Sequence, residues 1–279
     1  MDYSTRSARK TVSSKIFFWD SLPPFVQNCI FMAVLNLAIG FRLERYFYSI
    51  VKPDNIILDI GCGGGEALYT ERNSRLFGID INLYPLQDTK RIYKLALQAD
   101  GTHLPFADNC FDVVLAANVW EHFTPDNQHR LSKEIFRVLR PGGKLAIVSP
   151  IRSDSPIIRI SESFPQFFEK WFIQDPKHFG LGTVDEYIKT LLSTGFRLID
   201  KTSFNHFFLW PIGFLKFLDQ MPRRIWWVLL LRCWERFAAS IKPLKLFIEI
   251  FYGIIDNCLS LLPLSRFALA YGLLFRKRD

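Results

Sequence analysis

The stretch Ile56-Ile-Leu-Asp-Ile-Gly-Cys-Gly-Gly-Gly-Glu66 carries an apolar run into an acidic residue and then into glycines at alternate positions, Gly61, Gly63 and Gly65. The apolar run reads as a buried strand, and the glycines as the turn that leaves it. Without Cβ atoms the backbone can bend sharply, a ligand can lie against the main chain, and the next helix can start close to the strand. A loop that grips a pyrophosphate follows G-x-G-x-x-G and offers helix N-terminal amides to the anion. Here the spacing is D-x-G-x-G-x-G, and the Asp59 carboxylate beside the loop suits a ligand with a cationic end.

Downstream, Arg75-Leu-Phe-Gly-Ile-Asp80-Ile81 is a second apolar strand ending in an acid, 21 residues after Asp59. That is where a carboxylate meets a ribose in a βαβ nucleotide-binding unit, and one carboxylate can accept from two hydroxyls. Gln98-Ala-Asp100-Gly101 follows, then Phe111-Asp-Val-Val-Leu-Ala-Ala-Asn118 as a buried strand, then Trp120-Glu121-His122-Phe123. Leu139-Arg-Pro-Gly-Gly143-Lys-Leu-Ala-Ile-Val-Ser-Pro150 is a helix end, a turn and a fifth strand.

These segments, in this order, resemble the class I S-adenosylmethionine-dependent methyltransferases, specifically the type 11 and ubiquinone-biosynthesis-like group, over residues 54 to 200. The resemblance implies an α/β fold: a seven-stranded Rossmann-like sheet, mostly parallel with an antiparallel last strand, helices on both faces. It implies S-adenosylmethionine as the cofactor. By the same resemblance Asp59, Gly61, Gly63 and Gly65 form the methionine-side loop, Asp80 the ribose clamp, Ile81, Asp100 and Gly101 the adenine site, and Asn118 the wall below the sulfonium.

Around this core, residues 1–53 read as an N-terminal helical cap, with one helix from Phe25 to Tyr48 after Pro23-Pro24. Two readings stand for that helix: a cover over the cofactor cleft, or a membrane contact. Residues 54–203 are the cofactor-binding core. Within it, a helix opens near Pro125 with Leu131, Ile135 and Val138 on one face, a second spans Val184 to Thr194 and ends at Gly195, and Phe196 to Thr202 is the sixth strand. Residues 266–279 resemble the family's closing strand and basic tail. Between them, 204–265 is a hydrophobic helical insertion in which Trp226, Trp227 and Trp234 interleave with Arg223, Arg224, Arg232 and Arg236. An apolar face rimmed by cations suits the membrane interface. Packing on the sheet or on a second subunit is the alternative, because no run reaches the length of a span.

The net charge of +8 is unevenly distributed: residues 201–279 hold twelve Lys/Arg against five Asp/Glu, and residues 1–55 seven against four. Basic, greasy flanks fit an anionic membrane surface better than nucleic acid. The five cysteines lack C-x-x-C spacing and an even count, so neither a disulfide framework nor a metal site is expected, and a reducing compartment is. The expected location is cytoplasmic and peripheral on a membrane; Asp20 and Pro23-Pro24 break any export signal.

His122 and His178 are the candidate catalytic residues, as bases for an oxygen or carbon nucleophile. A residue that orders the cofactor pocket is the competing reading of His122. Trp120, Phe164, Phe167, Phe168, Trp171 and Phe172 either line an apolar acceptor mouth or pack as a helix. Cys62 reads as a small packing residue. The expected activity is methyl transfer to a hydrophobic or lipid-linked small-molecule acceptor, O-methylation leading, with no nucleic-acid partner. A nicotinamide-dependent oxidoreductase and a membrane-docked binding module without turnover are the competitors.

Overall fold

The computed structural model describes residues 46, 47, 49–63, 75–82, 93–155, 158, 176–204, 241, 251 and 265–278. Gly65, the predicted helix up to residue 45, the aromatic residues 164–172 and, apart from two positions, the insertion 205–264 lie outside them.

Seven strands form one sheet: β1 (Ile57–Ile60), β2 (Leu76–Asp80), β3 (Leu95–Gln98), β4 (Phe111–Ala117), β5 (Leu139–Pro150), β6 (Phe196–Phe204) and β7 (Ala270–Lys277), in the order β3-β2-β1-β4-β5-β7-β6. The pairs among β1 to β5 are parallel, and β7 runs antiparallel to both of its neighbours. The strand order reverses at β1, so the crevice at the carboxyl ends of β1 and β4 is the place where an open α/β sheet takes its ligand.

The central strands are apolar throughout because both faces are covered. Alternate residues enter different cores: Leu58, Val114, Ala116, Leu145 and Ile147 pack on one face with Leu131 and Ile135 of α1 (Pro125–Val138) and Tyr187 and Leu191 of α2 (Val184–Thr194). Ile57, Val113, Leu115, Ala146 and Val148 face the other way, onto Phe47 and Ile50. Residues 46, 47, 49 and 50 are helical, so helix is present beyond the predicted end at residue 48.

Both described helices start and stop where the sequence signals. Thr124 caps α1 with Pro125 at its first position, and Thr183 with Glu186 forms a reciprocal capping box on α2. Gly195 ends α2 at φ 109°, a conformation glycine adopts without a Cβ penalty. Pro141-Gly142-Gly143 lies inside β5 rather than before it. From Phe111↔Leu139 to Val113↔Lys144, β4 advances two residues and β5 five, so the turn loops out between two paired stretches.

The seventh strand begins at Ala270, later than the 266 expected, after a 3-10 turn at Ser265–Phe267. Phe204 of β6 pairs with Ala270 of β7, and the Leu269 amide donates to the Phe204 carbonyl at 3.2 Å. The two ends of 205–269 therefore lie side by side, and this segment interrupts what is otherwise a hairpin. Among the described residues no helix is long and apolar enough to cross a membrane.

Candidate functional site

A cavity of about 450 Å³ opens at the carboxyl ends of β1 to β4, within the usual size range of small-molecule sites. Seven of the predicted residues line it: Gly61, Asp80, Ile81, Asp100, Gly101, Asn118 and His122. The chain direction explains the grouping, since each residue ends a parallel strand or sits in the turn that follows.

At the β2 end, the Asp80 carboxylate accepts from two amides, Gly63 N–H at 3.0 Å and Asn82 N–H at 2.8 Å. Two backbone donors fix the carboxylate at the rim and leave each oxygen able to accept again. Asp100 is fixed in a similar way by the Thr102 amide at 2.8 Å. Gly61 has φ 70°, and a Cβ there would lie 2.5 Å from Val119 Cγ2, so only glycine closes the loop onto the segment after β4. Gly63 has φ 48° but open space where a Cβ would stand. Asn118 follows β4 at φ 50°, a conformation asparagine tolerates better than most residues, with its amide bonded to the Val148 carbonyl at 2.7 Å.

Three of the predicted residues among those described, Asp59, Gly63 and His178, do not line the cavity. Asp59, 3% exposed on β1, is buried beneath the loop and accepts from the Tyr93 hydroxyl. His178 does not line the cavity, but its ring stands edge-on to His122, with centroids 4.8 Å apart. Cys62 is a packing residue: burial first, then the negative charges of Asp59 and Asp80, push its thiol up to about 12, so at neutral pH it is no thiolate. Its sulfur occupies the space that a side chain at position 78 would need.

The β4 end is built from distant segments. Trp120–His122 forms a 3-10 turn in which Trp120 and Glu121 are buried and His122 is exposed. The Ser149 hydroxyl donates to Glu121 Oε2 at 2.9 Å, and His122 Nδ1 lies 3.2 Å from the Lys177 carbonyl. The Gly180 amide donates to the Glu121 carbonyl at 2.9 Å, and the Gly180 carbonyl accepts from Gln128 Nε2 and the Tyr187 hydroxyl. A Cβ at Gly180 would stand 1.7 Å from the Phe123 carbonyl oxygen, so the loop 176–180 fits there only with glycine. Phe123, Lys177 and the 66%-exposed Phe179 complete this wall. Phe123 was read only as the end of the Trp120–Phe123 segment, and Lys177 and Phe179 were passed over because no local motif marks residues that meet it from 54 and 56 positions away.

The residues present fit a nucleoside with a cationic end. Acidic side chains stand at the β2 and β3 rims, a bare backbone turn lies between, and apolar Ile81, exposed by 65%, offers a flat contact beside Asp80. Transfer from an activated centre asks for position more than for acid or base, and holding the two partners in line supplies about 7–11 kcal/mol of barrier reduction.

The model of a family described as a methyltransferase domain matches residues 58–147, the span from β1 into β5. Over 105 residues the chain is 38% identical to probable tRNA methyltransferase 9B of Homo sapiens, covering 37% of this chain and 23% of the human protein. Over 158 residues it is 30% identical to demethylmenaquinone methyltransferase of Lactobacillus johnsonii, covering 51% of this chain and 62% of that protein. The chain thus matches less than two thirds of the length of these curated relatives. A crystal structure of a SAM-dependent methyltransferase from Archaeoglobus fulgidus shares the fold with a TM-score of 0.55 at 19% identity, covering 89% of this chain and 99% of that one.

Proposed function

Residues 58–147 are a methyltransferase domain of the class I S-adenosylmethionine-dependent superfamily, and from that premise we propose that this protein methylates a hydrophobic or lipid-linked small molecule, on oxygen. The observation that carries the reading is the two-ended cavity: fixed carboxylates at Asp80 and Asp100 on one rim, and aromatic Phe123 and Phe179 with two histidines beside the other. When bound, S-adenosylmethionine supplies a methyl group already activated by its sulfonium.

The chain's own residues do the rest. Asp80 binds the ribose hydroxyls, Asp100 with Ile81 and Gly101 holds the adenine, Gly61, Gly63 and Gly65 let the methionine end lie on the backbone, with Asp59 beneath them, and Asn118 forms the wall below the sulfonium. Phe179 and Phe123 shield the acceptor mouth from water. An acceptor hydroxyl must lose its proton as the new bond forms, and His122 or His178 stands where such a proton would go. The basic, tryptophan-rich segment 204–265 we assign to a membrane surface that delivers the acceptor.

A nucleic-acid acceptor is the second reading, favoured by the similarity to a tRNA methyltransferase and by the +8 net charge. Incubation with isotopically labelled S-adenosylmethionine and a cell extract fractionated into lipids, RNA and water-soluble small molecules decides between them. Label in the lipid fraction is expected. Label confined to RNA would establish the second reading, and label confined to the water-soluble fraction would refute the lipid assignment. Donor binding with no label in any fraction would make the protein a binding module.

A further inference from the structure

We infer that Glu121, His122 and His178 form a site for a zinc-class divalent cation on the acceptor side of the cavity. The inference rests on the acceptor assignment above only for its role, not for its chemistry. One ligand atom from each of the three residues lies within 4.8 Å of the others. Two imidazoles and one carboxylate are a ligand set that suits zinc, iron or manganese and disfavours magnesium, which prefers oxygen ligands and keeps its waters. Ligand bonds near 2.0–2.2 Å would draw the outermost pair together by about 1 Å, a side-chain adjustment rather than a backbone one.

The supports around the three residues resemble the outer shell of a metal centre. Metal-binding histidines characteristically donate their second ring N–H to a carbonyl or carboxylate, which fixes the tautomer and turns the other nitrogen to the ion. His122 Nδ1 stands 3.2 Å from the Lys177 carbonyl, a geometry in which Nδ1–H donates and Nε2 is the ligand. Metal-binding carboxylates are hydrogen-bonded in turn, and the Ser149 hydroxyl donates to Glu121 Oε2 at 2.9 Å. The loop carrying His178 is tied to the turn carrying Glu121 by the Gly180 amide at 2.9 Å, and to both helices through Gln128 and Tyr187. Glu121 is 1% exposed, so its carboxylate meets a cation in a low-dielectric setting where the attraction is strong. Glu121 and His122 are adjacent in sequence and His178 is far from them, and none is a cysteine, which is why cysteine spacing gave no metal signal. With both imidazole lone pairs on the ion neither histidine serves as the base, and the cation takes over that role: it orients an acceptor oxygen and lowers its pKa, the O–H bond breaks, an oxygen–metal bond forms, and the proton leaves to solvent water.

The test is isothermal titration of zinc chloride into the full chain after chelator treatment and dialysis. One ion per chain is expected, with affinity at least tenfold weaker in His122→Asn and in His178→Asn. Exposed His122 keeps the test sound if a buried-site variant fails to fold. Absence of saturable binding, affinity unchanged in both variants, or equal affinity for magnesium chloride would each overturn the site. S-adenosylhomocysteine titrated into the same samples separates the two readings. Nucleoside bound without zinc removes the metal site alone, and zinc bound without nucleoside refutes the methyltransferase reading while upholding the site.

Discussion

At the β2 end of the cavity Asp80 is fixed by amides 2 and 17 residues away, whereas at the β4 end Glu121 and His122 are tied by bonds to Ser149, Lys177 and Gly180, 28 to 59 positions distant. The near end is therefore a property of one βαβ unit and forms wherever that unit folds. The far end exists only after α1, β5, α2 and the 176–180 loop have docked. A donor shared by a family is well served by the first arrangement, since it stays constant while the second changes from one acceptor to another.

The largest effect should come from the near end. Asp80→Ala removes the acceptor proposed for the two ribose hydroxyls and releases the Gly63 and Asn82 amides, so affinity for S-adenosylhomocysteine should fall by about 100-fold, or about 2.7 kcal/mol, by calorimetric titration. An unchanged affinity would break the comparison, because the end read as local would then not hold the donor. Next in size is Gly61→Ala. Its Cβ would stand 2.5 Å from Val119 Cγ2 at φ 70°, and a loss of about 2–3 kcal/mol is expected in chemical denaturation. Gly63→Ala, strained at φ 48° but unobstructed, should cost about 1 kcal/mol. Combining Gly61→Ala with Val119→Ala should recover part of the difference.

The same division governs what could be read before the fold was in view. Asp80 was legible because it ends an apolar strand 21 residues after Asp59, and Asp100, Gly101 and Asn118 through the resemblance to a known family; all four meet because strand ends of a parallel sheet converge by construction. The α2 boundaries were legible because a capping box and a left-handed glycine are local signals. Tyr93, whose hydroxyl meets buried Asp59, carried no such mark, and neither did Lys177 and Phe179. Their roles depend on which segments pack against the turn after β4. The looped-out Pro141-Gly142-Gly143 was misplaced by a turn-then-strand reading because Leu139 had already joined the sheet beside Phe111.

A smaller effect, at the far end, is expected of Tyr187→Phe. The hydroxyl donates to the Gly180 carbonyl at 3.0 Å and accepts from the Gly182 amide at 3.1 Å, both in a buried setting, so about 1–2 kcal/mol of stability should be lost. Burial is the main cause that raises this phenol to about 12, so the contribution does not titrate at neutral pH. Donor affinity should change less than twofold while the rate with the acceptor falls, and a parallel loss of donor affinity would merge the two ends into one.

The smallest effect probes the place where the near end borrows a distant support. Arg137 on α1 bonds Glu134 and Asp108 and the carbonyls of Leu104 and Phe106, and Glu134 accepts the Leu104 amide at 2.8 Å, which fastens the loop after Asp100. The Arg137 bonds, then the Leu104 amide, hold the Glu134 carboxyl below its ordinary range. A carboxyl with a depressed folded pKa contributes stability that is complete above the unfolded value of about 4.3 and is lost as pH falls through the folded value. Glu134→Gln should therefore be less stable than the native chain at pH 7, by under about 1 kcal/mol for a partly solvated pair, and the gap should close as pH falls through the folded value. Denaturation midpoints followed from pH 7 downward measure this. A gap that did not narrow on acidification would show that the loop is held by shape rather than by charge, leaving the near end local after all.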